Sequence, residues 1–389
     1  MRIALVLRHL DPTRGGAEQW TCQMALRLLQ AGHEVTHVGQ SQTAELGKTG
    51  IRFEAVQGRG TLEFADACAH HLAQRDFDVV ADMGSGWFGD VVLPHGGSKT
   101  ASFEQNLLLL PAPLRPIKRG LARLLPRYRA FADLERRQLD TSSGKLAIAL
   151  SQMTRGHFTR FNRVPVEQIR VVYNGVNIER FTPENREQWR ERIRSEWQIA
   201  PNEKLLLIVA HNFALKGVDW LIRAMGRLVQ QRWPVKLAVV GRGATGRYAR
   251  LARQNGCGTQ VRFIGPMDDS SPAYAAADVY VQPTFYDPCS LVVLEALACG
   301  LPTITSRYNG AGELIRNGEQ GFVIDDPTDI VELADCIART LNDSVCQRMG
   351  RAARELALEH TLDHNYRDLL AVFTEAAARK QRRVQKHAA

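Results

Sequence analysis

Short apolar runs alternate with helical segments along this chain, and the alternation occurs in two successive rounds. In the first half, Arg2–Arg8, Val35–Val38, Val79–Ala81, Val91–Pro94 and Leu146–Ser151 read as strands. A helix is expected over Ala17–Gln30, with Trp20, Met24 and Leu28 on one face and Gly32 as its stop. In the second half, Leu205–Ala210, Val235–Gly241, Val261–Gly265, Val279–Gln282, Thr303–Thr305 and Phe322–Ile324 read as strands. Helices fall between them near Gly217–Gln230, Thr245–Asn255, Ser290–Cys299 and Asp329–Leu341. Short, evenly apolar strands need cover on both faces, and the intervening helices supply it. The expected class is therefore α/β, with two doubly wound sheets in sequence. Ligands bind such sheets at the carboxyl ends of their strands, and a cleft is expected between the two domains.

A length of 389 residues suits two domains. The turn-rich Asn174–Asn177 and the charged helical segment Glu184–Trp197 put the boundary between Asn174 and Pro201. The working limits are 1–178, 179–378 and a short basic tail, 379–389. The seven cysteines are scattered and form no CxxC, which fits a reduced, cytoplasmic setting without a disulfide frame or a zinc site. MRIALVLRHLDP reads as a buried strand rather than a signal peptide, and no apolar run is long enough to span a bilayer. A net charge of +9 favours anionic partners: a phosphorylated ligand, a membrane surface or nucleic acid.

The stretch FYDPCSLVVLEALACG, Phe285 to Gly300, carries the most chemical information. Asp287 falls on a loop, and Glu295 lies eight positions later inside an apolar helix that starts near Ser290. A helix start offers unpaired N–H groups and a positive dipole end, which together favour an anion. A solvated acidic pair is the plain alternative, but a carboxylate embedded among Val292, Val293, Leu294, Ala296 and Leu297 is costly without a partner. Lys216 follows a buried strand in HNFALKG; it is either an exposed lysine at a helix start or a charge that reaches a phosphate. Gly15-Gly16 after the first strand is either a simple turn or a place where backbone approaches a ligand, and GGAE is not a dinucleotide fingerprint. His95 in PHGGS ends another strand, as a structural histidine or as a ligand group aimed at the cleft.

Gln105 to Ala132 contains no acidic residue. It carries Arg115, Lys118, Arg119, Arg123, Arg127 and Arg129 among leucines, with Ile117, Leu121, Leu124 and Leu125 on one helical face. This describes either an interfacial helix at an anionic membrane or a basic surface helix whose leucines pack on their own domain. Nucleic acid is a third reading, but stacking aromatics are sparse. No metal motif ends an apolar strand: Asp76-Phe77-Asp78 precedes its strand and Asp268-Asp269 lies in a turn, so no metal is expected.

Taken together, the chain resembles the retaining glycosyltransferases of family 4, which have the GT-B fold. VVYNGVNIERFTP (Val171 to Pro183) is similar to their interdomain motif, and LKG at Leu215–Gly217 and FYDPCSLVVLEALACGLPTIT (Phe285 to Thr305) to their donor-site motifs. Within the family, the basic stretch followed by YRAFADLERR (Tyr128 to Arg137) is similar to the lipopolysaccharide core glucosyltransferase I group.

The resemblance implies two Rossmann-like domains facing a deep cleft, with a helix over about 360–380 packing back on the first domain. It implies a nucleotide-sugar donor, by family frequency a UDP-sugar and as a best guess UDP-glucose, with no cofactor beyond this co-substrate. The acceptor would be a lipid-linked or cell-envelope glycan, reached from the inner face of the cell membrane. By the same resemblance, Glu295 would take the ribose hydroxyls, and Lys216 the pyrophosphate with backbone N–H groups at Ser290 and Leu291. Asp287 would hold a sugar hydroxyl, Gly16 beside Gly15 would approach the phosphate, and His95 would contact the donor sugar. His211, Arg242 and Gly265 complete the expected donor set. The chain departs from the pattern twice, with Asp287 where Glu is usual and His211 where Arg is frequent. The competing readings are a nucleotide-sugar epimerase on the same fold and a non-catalytic membrane or nucleic-acid binder.

Overall fold

The computed structural model describes residues 1–122 and 124–388. The chain divides into one unit made of Met1–Tyr173 with Asn365–Ala389 and a second made of Asn174–His364. The expected limit at 178 therefore falls inside the second unit. Residues 379–388 of the stretch read as a basic tail instead continue the helix Leu362–Ala388. Its buried Leu369, Val372, Phe373, Ala376 and Ala377 give that helix an apolar stripe.

The first unit holds β1 (Arg2–Val6), β2 (His9–Leu10), β3 (Glu34–Gly39), β4 (Ser41–Gln42), β5 (Arg52–Ala55), β6 (Val79–Asp82), β7 (Val91–Val92), β8 (Leu146–Ala149) and β9 (Ile169–Val171). Seven of them form one sheet in the order β5-β3-β1-β6-β7-β8-β9, and β2 pairs with β4. The second unit holds β10 (Lys204–Val209), β11 (Val235–Val240), β12 (Val261–Gly265), β13 (Val279–Gln282), β14 (Thr303–Ser306) and β15 (Gly321–Ile324), ordered β12-β11-β10-β13-β14-β15. Every strand pair is parallel. Both large sheets reverse their winding next to their first strand, β1 in one and β10 in the other, and a crevice for ligand opens at such a reversal.

Burial explains why these segments are strands. Leu205, Leu206, Leu207 and Ile208 of β10 are all fully buried, so both faces of the strand are covered. The helix Val218–Gln230 supplies one cover by burying Leu221, Ile222, Met225 and Leu228 from a single stripe. The charged connector appears as the helix Asn185–Glu196, which docks through charge. Arg190 and Arg194 reach the buried Asp278 at 2.6 and 3.2 Å, and the Leu205 N–H donates to the same carboxylate at 2.7 Å.

Candidate functional site

The reversal in the second unit lies between β10 and β13, and the loops that leave these strands are cross-tied. Gly217 has φ +78, and a Cβ there would stand 2.1 Å from the Pro283 carbonyl oxygen, so only glycine allows this approach. The Phe285 N–H and the Thr284 hydroxyl both donate to the Leu215 carbonyl, at 2.8 and 3.1 Å. This brings the Lys216 Nζ to 2.5 Å from Asp287 Oδ2, with side-chain exposures of only 19% and 14%. Two motifs 71 residues apart thus form one ion pair. It is a partly desolvated pair, and loss of either partner strands the other charge.

Directly after Asp287 the chain enters the helix Leu291–Ala298. Ser290 precedes it but does not cap it with its side chain. Its hydroxyl donates to Gln282 Oε1 at 3.3 Å, and its own N–H donates to Asn309 Oδ1 at 3.2 Å. The expected contribution of the Ser290 N–H to anion binding is therefore corrected: that group is already taken within the protein. The dipole end of the helix, from Leu291 onward, still faces the loop that carries Asp287. The first turn contains no acidic residue to compete for it.

Glu295 lies one turn farther on and is partly buried. Its Oε2 accepts a hydrogen bond from the Tyr274 hydroxyl at 2.7 Å. Burial pushes its pKa up from an ordinary 4.5 to about 7, against the opposing pull of the Tyr274 hydrogen bond and of the positive charge on Arg180. Near neutral pH it exchanges between a carboxyl donor and a carboxylate acceptor.

His211 and Arg242 follow the carboxyl ends of β10 and β11, and Gly265 is the last residue of β12; the three strands are adjacent. The His211 and Arg242 side chains are exposed. Gly241, between β11 and Arg242, has φ +124, and a Cβ there would meet the Ala210 carbonyl at 1.8 Å. The edge of this unit thus assembles Lys216, Asp287 and Ser290 on one pair of loops, with Leu291 opening the helix after them and Glu295 one turn inside it.

In the first unit, Gly15 is extended and Gly16 opens the helix Gly16–Gln30, and neither has a left-handed backbone. His95 packs edge-on against Trp20, with ring centroids 4.6 Å apart. Its Nε2 is buried without a partner, and burial drives its pKa down to about 3, so the imidazole is neutral at ordinary pH.

The basic stretch forms two helices, Leu114–Ala122 and Pro126–Gln138, rather than one. Pro126 starts the second helix because proline fits a first turn and not a helix interior. Leu124 and Leu125 therefore lie between the helices and share no helical face with Ile117 and Leu121. Leu107 at the start of the stretch is buried, but Leu114, Ile117, Leu121, Leu124 and Leu125 are 47–66% exposed. Not all the cations face outward. Arg115 donates to the carbonyls of Leu110 and Leu108, Arg119 pairs with Glu104 at 2.6 Å, and Arg127 lies over the Phe131 ring. Arg123 lies outside the described residues.

Tyr274 and Asn309 escaped the reading of the sequence. Tyr274 lies in the run SPAYAAADVY, which gives no sign of a polar partner. The only signal for Asn309 is an Asn-Gly pair just after a strand. Among the described residues no cluster of His, Cys, Asp or Glu could hold a metal ion, and no helix is long and apolar enough to cross a membrane.

Comparison with known proteins divides the chain between residues 180 and 189. Residues 14–180 match Glycosyltransferase Family 4, and residues 189–356 match Glycosyl transferases group 1. The lipopolysaccharide glucosyltransferase WaaG of Escherichia coli (strain K12) is 29% identical over 58% of this chain and 60% of its own length. A D-inositol 3-phosphate glycosyltransferase of Corynebacterium jeikeium is 34% identical over 48% of this chain and 46% of its own. The chain thus spans about half to three-fifths of these relatives. Among solved structures, WaaG superposes with a TM-score of 0.78 at 24% identity, covering 96% of this chain and 98% of that one. Anabaena HepE in complex with UDP and glucose superposes with a TM-score of 0.68 at 19% identity, covering 96% and 99%.

Proposed function

We propose that this chain, which belongs to the group 1 and family 4 glycosyltransferases of GT-B fold, moves a hexose from a nucleotide sugar to a glycan or glycolipid acceptor of the cell envelope. UDP-glucose is the preferred donor in this reading. The observation that carries it is the Lys216–Asp287 pair at the reversal of the second sheet, set before the amino end of the helix Leu291–Ala298. An amine and a helix dipole neutralise a diphosphate, and a carboxylate beside them accepts a hydroxyl of the attached sugar. Glu295, one turn on, takes the ribose hydroxyls when ionised.

The reaction breaks the bond between the anomeric carbon and the diphosphate oxygen. It forms a bond from that carbon to an acceptor hydroxyl oxygen, whose proton passes to the departing phosphate. Charge builds on the leaving oxygens, and fixed positive groups there lower the barrier without a metal. No side chain stands out as a nucleophile for a double displacement, which favours departure and attack on one face, with retention.

The exposed Leu114, Ile117, Leu121, Leu124 and Leu125, flanked by Lys118 and Arg129, support peripheral association with an anionic inner-membrane surface. The name of the WaaG relative supports a lipopolysaccharide acceptor, and the UDP and glucose of the HepE complex support the donor.

The test is a panel of UDP-, GDP- and ADP-sugars, scored by thermal shift and by release of nucleoside diphosphate in the presence of acceptor lipid extract. One donor is expected to raise the melting temperature and to be consumed, and Lys216→Ala and Glu295→Ala are expected to abolish both effects. Full activity in both variants refutes the assignment. Conversion of the donor sugar without acceptor supports an epimerase instead.

A further inference from the structure

Asn309 is fully buried and lies just beyond β14, on none of the motifs that singled out the donor loops. It closes a ring of hydrogen bonds. The Ser290 N–H donates to Asn309 Oδ1 at 3.2 Å, and Asn309 Nδ2 donates to the Thr305 hydroxyl at 3.0 Å. That hydroxyl donates to the Gln282 carbonyl at 2.9 Å, and the Ser290 hydroxyl donates back to Gln282 Oε1 at 3.3 Å. Gln282, Thr305 and Asn309 are 0% exposed and Ser290 2%. The chain on either side of Asn309 also brackets Asp287: the Asp287 N–H donates to the Tyr308 carbonyl at 2.9 Å, and the Gly310 N–H to the Asp287 carbonyl at 2.8 Å.

We propose that Asn309 is the positioning residue of the donor site, holding the Asp287 loop and the first turn after Ser290 in register with the sheet. This rests on the donor-site reading above. Asp287 sits on a loop, and a loop by itself does not hold a carboxylate in place for a sugar. The ring supplies the missing rigidity by joining the ends of β13 and β14 to the helix start, and buried polar networks of this kind stiffen what they join. Asn309 also caps the short turn Gly310–Leu314 through the Ala311 N–H at 3.1 Å. A cap needs only that one bond; the links to Ser290 and Thr305 go beyond it.

The experiment opens the ring at two places. Asn309→Leu removes every bond, whereas Thr305→Val leaves the cap of the short turn intact and opens the ring from its far side. Thr305→Ser keeps the hydroxyl. Ile337→Ala, in the helix Ile330–Thr340 and fully buried, is a control for general loss of stability. Amide exchange over Phe285–Glu295 and the KM values for donor and acceptor are measured on the full chain below its melting temperature. Asn309→Leu and Thr305→Val are expected to speed exchange in that segment and to raise the donor KM about tenfold, with the acceptor KM unchanged. Thr305→Ser is expected to restore both. Unchanged exchange, faster exchange without a change in donor KM, or the same pattern in Ile337→Ala overturns the proposal. If the wild-type protein consumes no nucleotide sugar, the donor-site reading fails, and the exchange measurement alone decides whether Asn309 holds this loop.

Discussion

Replacing Glu295 with Gln is expected to stabilise the protein at alkaline pH while weakening donor binding. Burial lifts the pKa of Glu295 from an ordinary 4.5 to about 7. The folded state therefore binds a proton more tightly than the unfolded chain does. The stability tied to this proton is fully present below about pH 4.5 and is lost as pH rises through about 7. Each tenfold gain in proton affinity is worth about 1.4 kcal/mol, which sets a ceiling of about 3 kcal/mol. Solvent reaches the partly buried carboxylate and lowers this to about 1–3 kcal/mol. Glutamine carries no such penalty, and its amide oxygen still accepts the Tyr274 hydroxyl. The melting temperature of Glu295→Gln should exceed that of the wild type by about 3–8 °C at pH 8 and converge with it near pH 4.5. Scanning fluorimetry at half-unit pH steps measures the difference. A difference that does not vary with pH, or a variant less stable than the wild type at pH 8, refutes burial as the cause. In the same reading the donor KM of the wild type falls as pH rises through about 7, and that of the variant does not.

Removing the amine in Lys216→Met should lower turnover about a hundredfold or more in a diphosphate-release assay, and Lys216→Arg should restore little of it, because the partly buried pair leaves little room for a larger planar head. Asp278→Asn should cost about 3 kcal/mol by chemical denaturation, since Arg190 and Arg194 lose a buried counter-charge, yet leave the donor KM unchanged. Gly217→Ala should cost both stability and donor binding, because its Cβ meets the Pro283 carbonyl; a melting temperature equal to the wild type would show that the two loops separate easily. Ser substitutions at Ile117, Leu121 and Leu124 should cut co-sedimentation with anionic vesicles several-fold without changing turnover of a soluble acceptor.

β10 and β11 were the easiest elements to read, because LLLIV and LAVV within them are unbroken apolar runs. β12 and β13 match their expected limits, β11, β14 and β15 differ by a residue at one end, and β10 by a residue at each end. Four strands escaped: β2 and β4 are only two residues long, and β5 and β9 lie at the two edges of their sheet, where RFEA and IRV carry charge and half-exposed side chains. Lys216, Asp287 and Glu295 were legible because each breaks a local rule: a lysine at a helix start, and acids beside or within an apolar helix. The occupation of the Ser290 N–H was not legible, since its partner Asn309 lies 19 residues away and enters through the order of β13 and β14. The basic stretch gave its composition but not its break, which follows from the single ring of Pro126.

The last helix completes the first unit with residues made after the whole second unit. Asn365 accepts from the Trp20 indole at 3.1 Å, Glu375 pairs with Arg170 at 2.6 Å, and Lys380 donates to the Phe77 carbonyl at 2.9 Å. During synthesis the early half must wait for Leu369 and Phe373, both fully buried in the folded protein, until the second unit has been made. A ribosome that stalls before Asn365 would release a chain with one finished body and one that is open and prone to stick, so truncation late in the chain should be felt first at the amino-terminal end.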